Sequence, residues 1–471
     1  MGEPAGPAIP TEGVVAVVNG ECPTCALVSP VLATLAAAGV LRVVSEDEEA
    51  GLDLSFRLGV DTVPTLVRFE GGKEVGRTVG WDRARWEAFL GVEGLGPDLP
   101  DWRPGCGARA ADPVVSERLA VRHRAHTLRS RRLVRDDEED EAEFFFDRGL
   151  TDGLPVVPPT EARVLRMLAG TTRDPGEVVA VVPPDMAPCT VEKVAVNAVM
   201  AGCKPEYLPV VLAAVEAYCT EEFNGHGLLC TTYFAGPVVI VNGPIARAIG
   251  MNSGMNVLGQ GNRANATIGR ALQLVVRNVG GGRPGEIDRA TLGNPGKLTF
   301  CFAEDEEGSP WEPLAVWRGL PPGTSAVTLF AGEGPRGVVD QLSRTPESLA
   351  RSFAQALVSV AHPKLGLAMD AVLVVSPEHA RVFRDAGWDR ARLLAELDAL
   401  TTRPGRDLVR GAGGCAEGLP EGFADLDIPK FRPGGLLVVH AGGRAGMFSS
   451  IIGGWLAGPT GSQPVTVEVR P

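Results

Sequence analysis

The chain has no apolar run approaching the ~20 residues that a membrane-spanning helix requires. Met1 to Thr11 carry neither a basic n-region nor an apolar h-region, so no secretory signal is expected. Positive charge is not in excess either. The formal net charge of −13 argues against a nucleic-acid binder, whose footprint would be a basic face. Cysteine is sparse: nine in 471 residues, odd in number and scattered, do not form a secreted disulfide framework. These absences point to a cytoplasmic protein with free thiols, with no membrane and no nucleic acid among its partners. No second CxxC and no HxxxH completes a zinc site, so no metal and no cofactor are expected.

What is present begins with Cys22-Pro23-Thr24-Cys25, directly after the apolar run Val14 to Val18 and before a Leu/Ala-rich stretch. The pattern is a dithiol at the end of a strand and the start of a helix. Pro23 suits the first helical position, where its missing N–H costs nothing, and the unpaired N–H groups of that helix start favour Cys22 as thiolate. Farther on, Val60 to Val67 places a Val-Pro-Thr turn before a strand, Gly71-Gly72 opens a hairpin into Val75 to Val79, and a short helix covers Asp82 to Leu90.

In this order of elements, residues 11–93 resemble a compact thioredoxin domain. The resemblance covers less than a fifth of the chain. It implies that Cys22 is the attacking thiol, Cys25 the resolving thiol and Pro64 a cis-proline facing them. Glu21 stands where the family usually has Trp, and Ala16 where many members carry a buried carboxylate that handles the resolving cysteine's proton. A vestigial dithiol on the same scaffold is the rival reading.

A length of 471 residues suggests two to four domains at ~100 to 200 residues each, and 44% hydrophobic residues mark a globular chain. Residues 94–143 read as a charged linker: Gly/Pro-rich at first, then basic over Arg122 to Arg135 and acidic over Asp136 to Glu143. Residues 144–471 read as a large α/β domain, with a division into two subdomains near 325 as one option. This region resembles uncharacterised bacterial proteins. Three segments share a strand, tight turn, helix pattern: Val238 to Pro244, Val372 to Glu378 and Leu436 to Gly443. The first two continue alike, a hint of internal duplication. The fold class is therefore α/β, a thioredoxin-like domain joined to a larger domain with mostly parallel strands and a helical hairpin.

Within the large domain, Thr190 is a plausible N-cap for a helix that Gly202 ends, and a second helix runs from Pro205 to about Tyr218. A helix of about twelve residues is ~18 Å long, so Cys189 and Cys203 at its two ends cannot bridge. Cys189, Cys219 and Cys230 gather at the open end of the hairpin. Cys203 stands alone at the tip beside Lys204 and a helix start, which favours thiolate. Gly259, Gly261 and Asn262 form a glycine-rich loop into a helix with Arg263 and Arg270, a candidate site for a carboxylate or phosphate. His226, flanked by glycines, and His440, at a strand end, are placed for acid/base work. Gly332 to Gly337 matches GxGxxG, but Pro335 is awkward in a phosphate turn.

The resulting expectation is a thiol-dependent enzyme of the thiol–disulfide oxidoreductase type. Its dithiol exchanges disulfides with Cys203 or Cys189 of a large domain that binds a small anionic or thiol-containing substrate, and an external thiol reductant closes the cycle. A homo-oligomer is compatible with this. The alternatives are a carbon–sulfur lyase or sulfur transferase that the dithiol resets, and a non-catalytic docking scaffold.

Overall fold

A computed structural model describes residues 9–123, 128–136, 138–456 and 461–470. The chain divides into two compact units, Met1–Thr127 and Leu128–Pro471. Among the described residues no helix is long and apolar enough to cross a membrane.

The first unit runs β1 (Gly13–Val18), α1 (Pro23–Ala37), β2 (Arg42–Ser45), α2 (Glu49–Arg57), β3 (Thr62–Val63), β4 (Thr65–Glu70), β5 (Lys73–Val79), β6 (Trp81–Asp82) and α3 (Arg83–Leu90). Its sheet has the order β2-β1-β4-β5, with β1 parallel to β2 and antiparallel to β4. Alternation along β1 builds two cores. Val14 and Ala16 meet Val28, Leu32, Trp81 and Trp86 on one face, whereas Val15 and Val17 meet Val44, Leu54, Val67 and Phe69 on the other. Asp82 caps α3 through the Arg85 N–H, and Gly91 ends it in the left-handed region.

The stretch 94–143 is not one connector. Leu95 is buried in the first core, and β7 (Trp102–Arg103) and β8 (Cys106–Gly107) pair with β6 and β3. The helix α4 (Pro113–His123) follows, with Leu119 buried against Leu52. Residues 124–127 lie outside the described residues. Beyond them, Glu192 accepts hydrogen bonds from the Arg129 and Ser130 N–H groups and holds that segment within the second unit. Sequence texture shows the polarity of such a strap but not the few backbone pairings that pin it.

The second unit continues with α5 (Glu141–Asp147), α6 (Glu161–Leu168), β9 (Val178–Val182), β10 (Ala187–Thr190), α7 (Val191–Ala201), α8 (Leu208–Tyr218) and α9 (Gly225–Cys230). Next come β11 (Gly236–Asn242), α10 (Pro244–Ala248), α11 (Arg263–Asn278), β12 (Cys301–Ala303), α12 (Leu314–Trp317), β13 (Ala326–Gly332) and β14 (Arg336–Val339). After α13 (Pro346–Leu357), β15 (Met369–Val375), α14 (Pro377–Asp385) and α15 (Arg390–Thr401), the short β16 (Arg403–Pro404) and β17 (Asp427–Ile428) pair with each other. The last strands are β18 (Phe431–His440), β19 (Phe448–Gly453) and β20 (Val465–Glu468).

Two four-stranded sheets organise this unit, β12-β11-β13-β20 and β18-β15-β19-β14. They share one plan. In each, a central strand leading into a proline-initiated helix has a parallel neighbour on one side and an antiparallel one on the other. Val238, Ile240, Phe302 and Phe330 of the first sheet form one core with Val372, Val374, Leu437 and Val439 of the second. The opposite faces pack on helices: Val239 and Val241 belong to the core of α7, α8 and α11, while Leu373 and Val438 belong to that of α13, α14 and α15. The architecture is helix, sheet, sheet, helix.

The α/β class stands, but the strands are not mostly parallel. Only β11 with β12 and β15 with β18 are parallel in these sheets, whereas β11–β13, β13–β20, β15–β19 and β14–β19 are antiparallel. Continuous apolar runs report burial of both faces and carry no direction. Nor does the unit divide near 325, because β11 and β13 pair along their whole length across that point. The expected helix after His440 is instead a turn into β19, and Gly332 leads through a turn into β14 rather than a helix, so GxGxxG has no phosphate turn here.

Candidate functional site

Cys22 is the N-cap of α1, with extended backbone, and its Sγ accepts the Cys25 N–H at 3.3 Å. Pro23 has no N–H, so the next two amides of the helix, those of Thr24 and Cys25, are directed at this sulfur. The Val63–Pro64 peptide bond is cis, and the Cys22 thiol lies 3.5 Å from the Val63 carbonyl. Cys22 is 1% exposed and Cys25 5%.

Burial works against a thiolate at Cys22. Hydrogen bonds from the Cys106 thiol, from the amide and thiol of Cys25 and from the Thr24 amide outweigh it, and the Cys22 pKa is lowered. Cys25 goes the other way. Its burial, reinforced by the neighbouring Cys22, drives its thiol far above the ordinary value. Of the pair, Cys22 is therefore the first to lose its proton.

Cys106 is the member that the sequence reading missed. It sits in β8, directly opposite Val63 of β3, and is half-buried. A cavity of about 480 Å³ is lined by Asn19, Glu21, Cys22 and Cys106, with Ala108 and Arg109 among its other walls. The one local signal was its flanking by Gly105 and Gly107, which permits close backbone approach. A Cβ on Gly105 would stand 2.4 Å from Thr62 Cγ2 and 2.8 Å from the Val63 carbonyl oxygen. The strap is tied down by Thr24 Oγ1 to the Pro104 carbonyl at 2.7 Å, by Ala108 N–H to Asp61 O at 3.0 Å, and by the buried Glu46 carboxylate, which accepts the Arg109 and Ala110 N–H groups at 2.7 and 3.1 Å.

The large unit does not carry the reactive thiols expected of it. Cys203 is buried, its thiol donates to the Thr267 carbonyl at 3.4 Å, and burial pushes its pKa up to about 12. The side chain turns into the core, away from the helix start that sequence adjacency suggested. Cys189 is wholly buried and likewise pushed up to about 12 by burial, as is Cys219, which faces it electrostatically at the open end of the hairpin. Cys230 is exposed.

The glycine-rich loop is closed on itself. Asn262 caps α11 by accepting the Asn265 N–H at 3.1 Å, and its amide donates to Gly250 O at 2.8 Å. Gly261, in the left-handed region, and Gly259, packed over Asn256, shape the turn. Arg263, exposed, donates its Nε–H to the Gly202 carbonyl at 2.9 Å, while Arg270 forms a two-pronged pair with Asp152 at 2.7 and 2.8 Å and also meets the carbonyls of Leu154 and Pro155. An anion would have to displace Asp152 to gain that arginine. His226 is exposed on α9, and His440 is fully buried, with Nδ1 at 3.0 Å from the Asp305 carbonyl.

A second constellation absent from the sequence reading pairs half-buried Cys415 with His362, Sγ to Nε2 3.7 Å. Lys364 Nζ donates to the Ala412 and Cys415 carbonyls at 2.9 and 3.0 Å and fixes the loop that presents the thiol. Gly411, Gly413 and Gly414, all at positive φ, were its available sequence signal.

No family model matches the chain. Among solved structures, thioredoxin O2 from Arabidopsis thaliana in the oxidised state is 28% identical over 17% of this chain and 73% of its own, with a TM-score of 0.16. The thioredoxin Mala s 13 of Malassezia sympodialis and thioredoxin f2 of Chlamydomonas reinhardtii are each 22% identical over 17% of this chain and 76% of theirs, with TM-scores of 0.15. The aligned 17% is the thioredoxin-like region at the N-terminal end.

Proposed function

We propose that the chain is a cytoplasmic thiol–disulfide exchange enzyme working through Cys22 and Cys25. The carrying observation is the setting of the dithiol: Cys22 Sγ caps α1 and accepts the Cys25 N–H at 3.3 Å, which lowers its pKa, while burial raises that of Cys25. In the first step the Cys22 thiolate attacks a substrate disulfide, a bond forms to one substrate sulfur, and the other leaves as thiolate. A resolving thiol then gives up its proton and attacks Cys22, and the bound sulfur leaves as the second thiol. An external dithiol returns two electrons to the resulting disulfide. Pro64 shapes the backbone beside the attacking sulfur.

This reading is supported if the full chain catalyses dithiothreitol-driven reduction of insulin and Cys22→Ala removes that activity while leaving the thermal unfolding transition in place. Equal alkylation rates for Cys22 and Cys25 at neutral pH would overturn it. The sulfur-transfer reading of the large unit is favoured by one observation, the Cys415–His362 contact: His362 Nδ1 accepts the Lys364 N–H at 3.2 Å, so Nε2 carries the ring proton and directs it at the Cys415 sulfur. In that reading Cys415 replaces Cys203 as nucleophile towards a small thiol-containing substrate. Labelling of Cys415 by iodoacetamide that drops when His362 is replaced by Gln supports it, and labelling indifferent to that change removes it.

A further inference from the structure

We propose that Cys106 is a third exchange thiol, which resolves disulfides on Cys22 by forming a Cys22–Cys106 disulfide within the chain. The proposal rests on the exchange reading of Cys22 given above. Three independent features place the two sulfurs together. The Cys106 thiol is the neighbour that does most to lower the Cys22 pKa. Register pairs Cys106 with Val63, the residue whose carbonyl the Cys22 thiol also approaches. Both side chains line one cavity, open enough for a small reactant.

The strap is built for this approach. Only glycine fits at 105, and Gly80, at positive φ, lies with its Cα face against Gly105 N and Arg103 O. Thr24 Oγ1 and the Glu46 carboxylate tie the two ends of the strap, so Cys106 is held at a fixed place on the β3 edge. Held there, it is a reactant at high effective concentration.

Position and chemistry both favour Cys106 as the first to resolve: it is half-buried and lines the cavity beside Cys22, whereas Cys25 is buried and does not line it. The pKa of Cys106 is raised chiefly because its proton is donated to Cys22, and burial adds to this. Once Cys22 is bound in a disulfide it has no thiolate to accept that proton, so the main cause disappears at the step where Cys106 must act. Cys25 is raised chiefly by burial, which persists. Cys106 therefore ionises more readily than Cys25 in the mixed disulfide.

The step balances. Cys106 loses its proton and attacks Cys22 Sγ, the Cys22–substrate bond breaks with its electron pair on the substrate sulfur, and that sulfur takes up the proton. Cys25 then loses its proton and attacks the same Sγ, and Cys106 is expelled as thiolate and takes up that proton, which yields the Cys22–Cys25 disulfide and the Cys106 thiol. No oxidant beyond the substrate disulfide is consumed.

The test equilibrates the full chain in mixed oxidised and reduced glutathione, quenches with acid, blocks free thiols with N-ethylmaleimide and cleaves after Lys and Arg without reduction. Cys22 and Cys25 then share the peptide ending at Arg42, and Cys106 lies on Trp86 to Arg109, because Arg103 precedes Pro104. In Cys25→Ser we expect the two peptides to be linked as the dominant oxidised species. In Cys106→Ser the linkage should vanish while Cys22 and Cys25 still close within one peptide. Adding Gly105→Ala to Cys25→Ser keeps both reacting thiols but lifts the strap off Val63, and the linked fraction should fall several-fold. Glutathione on Cys22 with an alkylated, unlinked Cys106 in Cys25→Ser would overturn the proposal and leave the exchange reading intact. Absence of any disulfide on Cys22 in every variant would overturn both.

Discussion

Cys22 in the small unit and Cys203 in the large one are both nearly inaccessible, at 1% and 7% exposure, yet their thiols are driven in opposite directions. The difference lies in what each sulfur faces. Cys22 receives two amides and two thiols, whereas Cys203 meets the Thr267 carbonyl and apolar neighbours, with the Thr267 side chain and one arginine charge as lesser aids that burial overrides. Burial alone therefore says nothing about reactivity. The count and polarity of the neighbours settle it, since a buried thiolate survives only where donors replace water.

The sharpest way to break this comparison is to remove the favoured sulfur. Cys22→Ser should lower dithiothreitol-driven insulin reduction by a factor of about 10³ or more, as expected for loss of a nucleophile, with thermal unfolding shifted by no more than about 1 kcal/mol. Residual activity of one tenth would mean that another thiol initiates exchange. Next comes the buried acceptor behind the strap. Glu46→Ala leaves the Arg109 and Ala110 amides and Ser55 Oγ without their partner, and should destabilise the first unit by roughly 2 to 4 kcal/mol in denaturant unfolding. Cys22 alkylation should quicken at the same time.

The two thiols should also part in pH. Rates of iodoacetamide labelling at Cys22 should reach half their plateau below the ~8.5 of an ordinary thiol, while Cys203 should resist labelling until the fold opens. The sign on the large unit follows. A thiol whose folded pKa is raised stabilises fully below its unfolded value near ~8.5, and that stability drains as pH climbs towards about 12, at roughly 1.4 kcal/mol per pH unit for each of Cys189, Cys203 and Cys219. Replacing Cys203 by Ala should accordingly flatten the alkaline fall in unfolding free energy. The smallest effect is expected from that same Cys203→Ala on exchange: a change of less than about twofold, with stability at pH 7 lower by about 1 kcal/mol. A tenfold loss of exchange would restore Cys203 as the acceptor.

The comparison also marks what was legible beforehand. The Cys22 to Cys25 segment could be read because its chemistry is local: strand end, N-cap, Pro at the first helical position and two amides follow one another within a few residues. The helical hairpin Val191–Ala201 and Leu208–Tyr218 was readable for the same reason, through Thr190, Gly202 and Pro205. Cys106 was not, since its partnership with Cys22 arises from an edge pairing between distant segments, and two glycines and a proline look like any loop. Cys203 was misread because sequence neighbours do not say where a side chain points. Cys415 and His362 likewise meet only through the folding of the loops around Lys364 and Lys430, the latter donating to three backbone carbonyls at 2.7 to 2.9 Å. Strand direction in the large unit escaped because apolar runs look identical read forwards or backwards.

The placement of β20 governs the order in which the large unit can be made. Strand β13 lies between β11 and β20, and Thr328 shares a hydroxyl hydrogen bond with Thr466 of β20 at 2.9 Å. Until residues 465–468 leave the ribosome, the edge of β13 has no partner, and a growing chain carries an open strand of buried-type residues. The first unit needs nothing from so far along the sequence. Its dithiol can therefore be assembled while the two-sheet sandwich still waits for its closing strand, an interval in which aggregation competes with folding of the large unit alone.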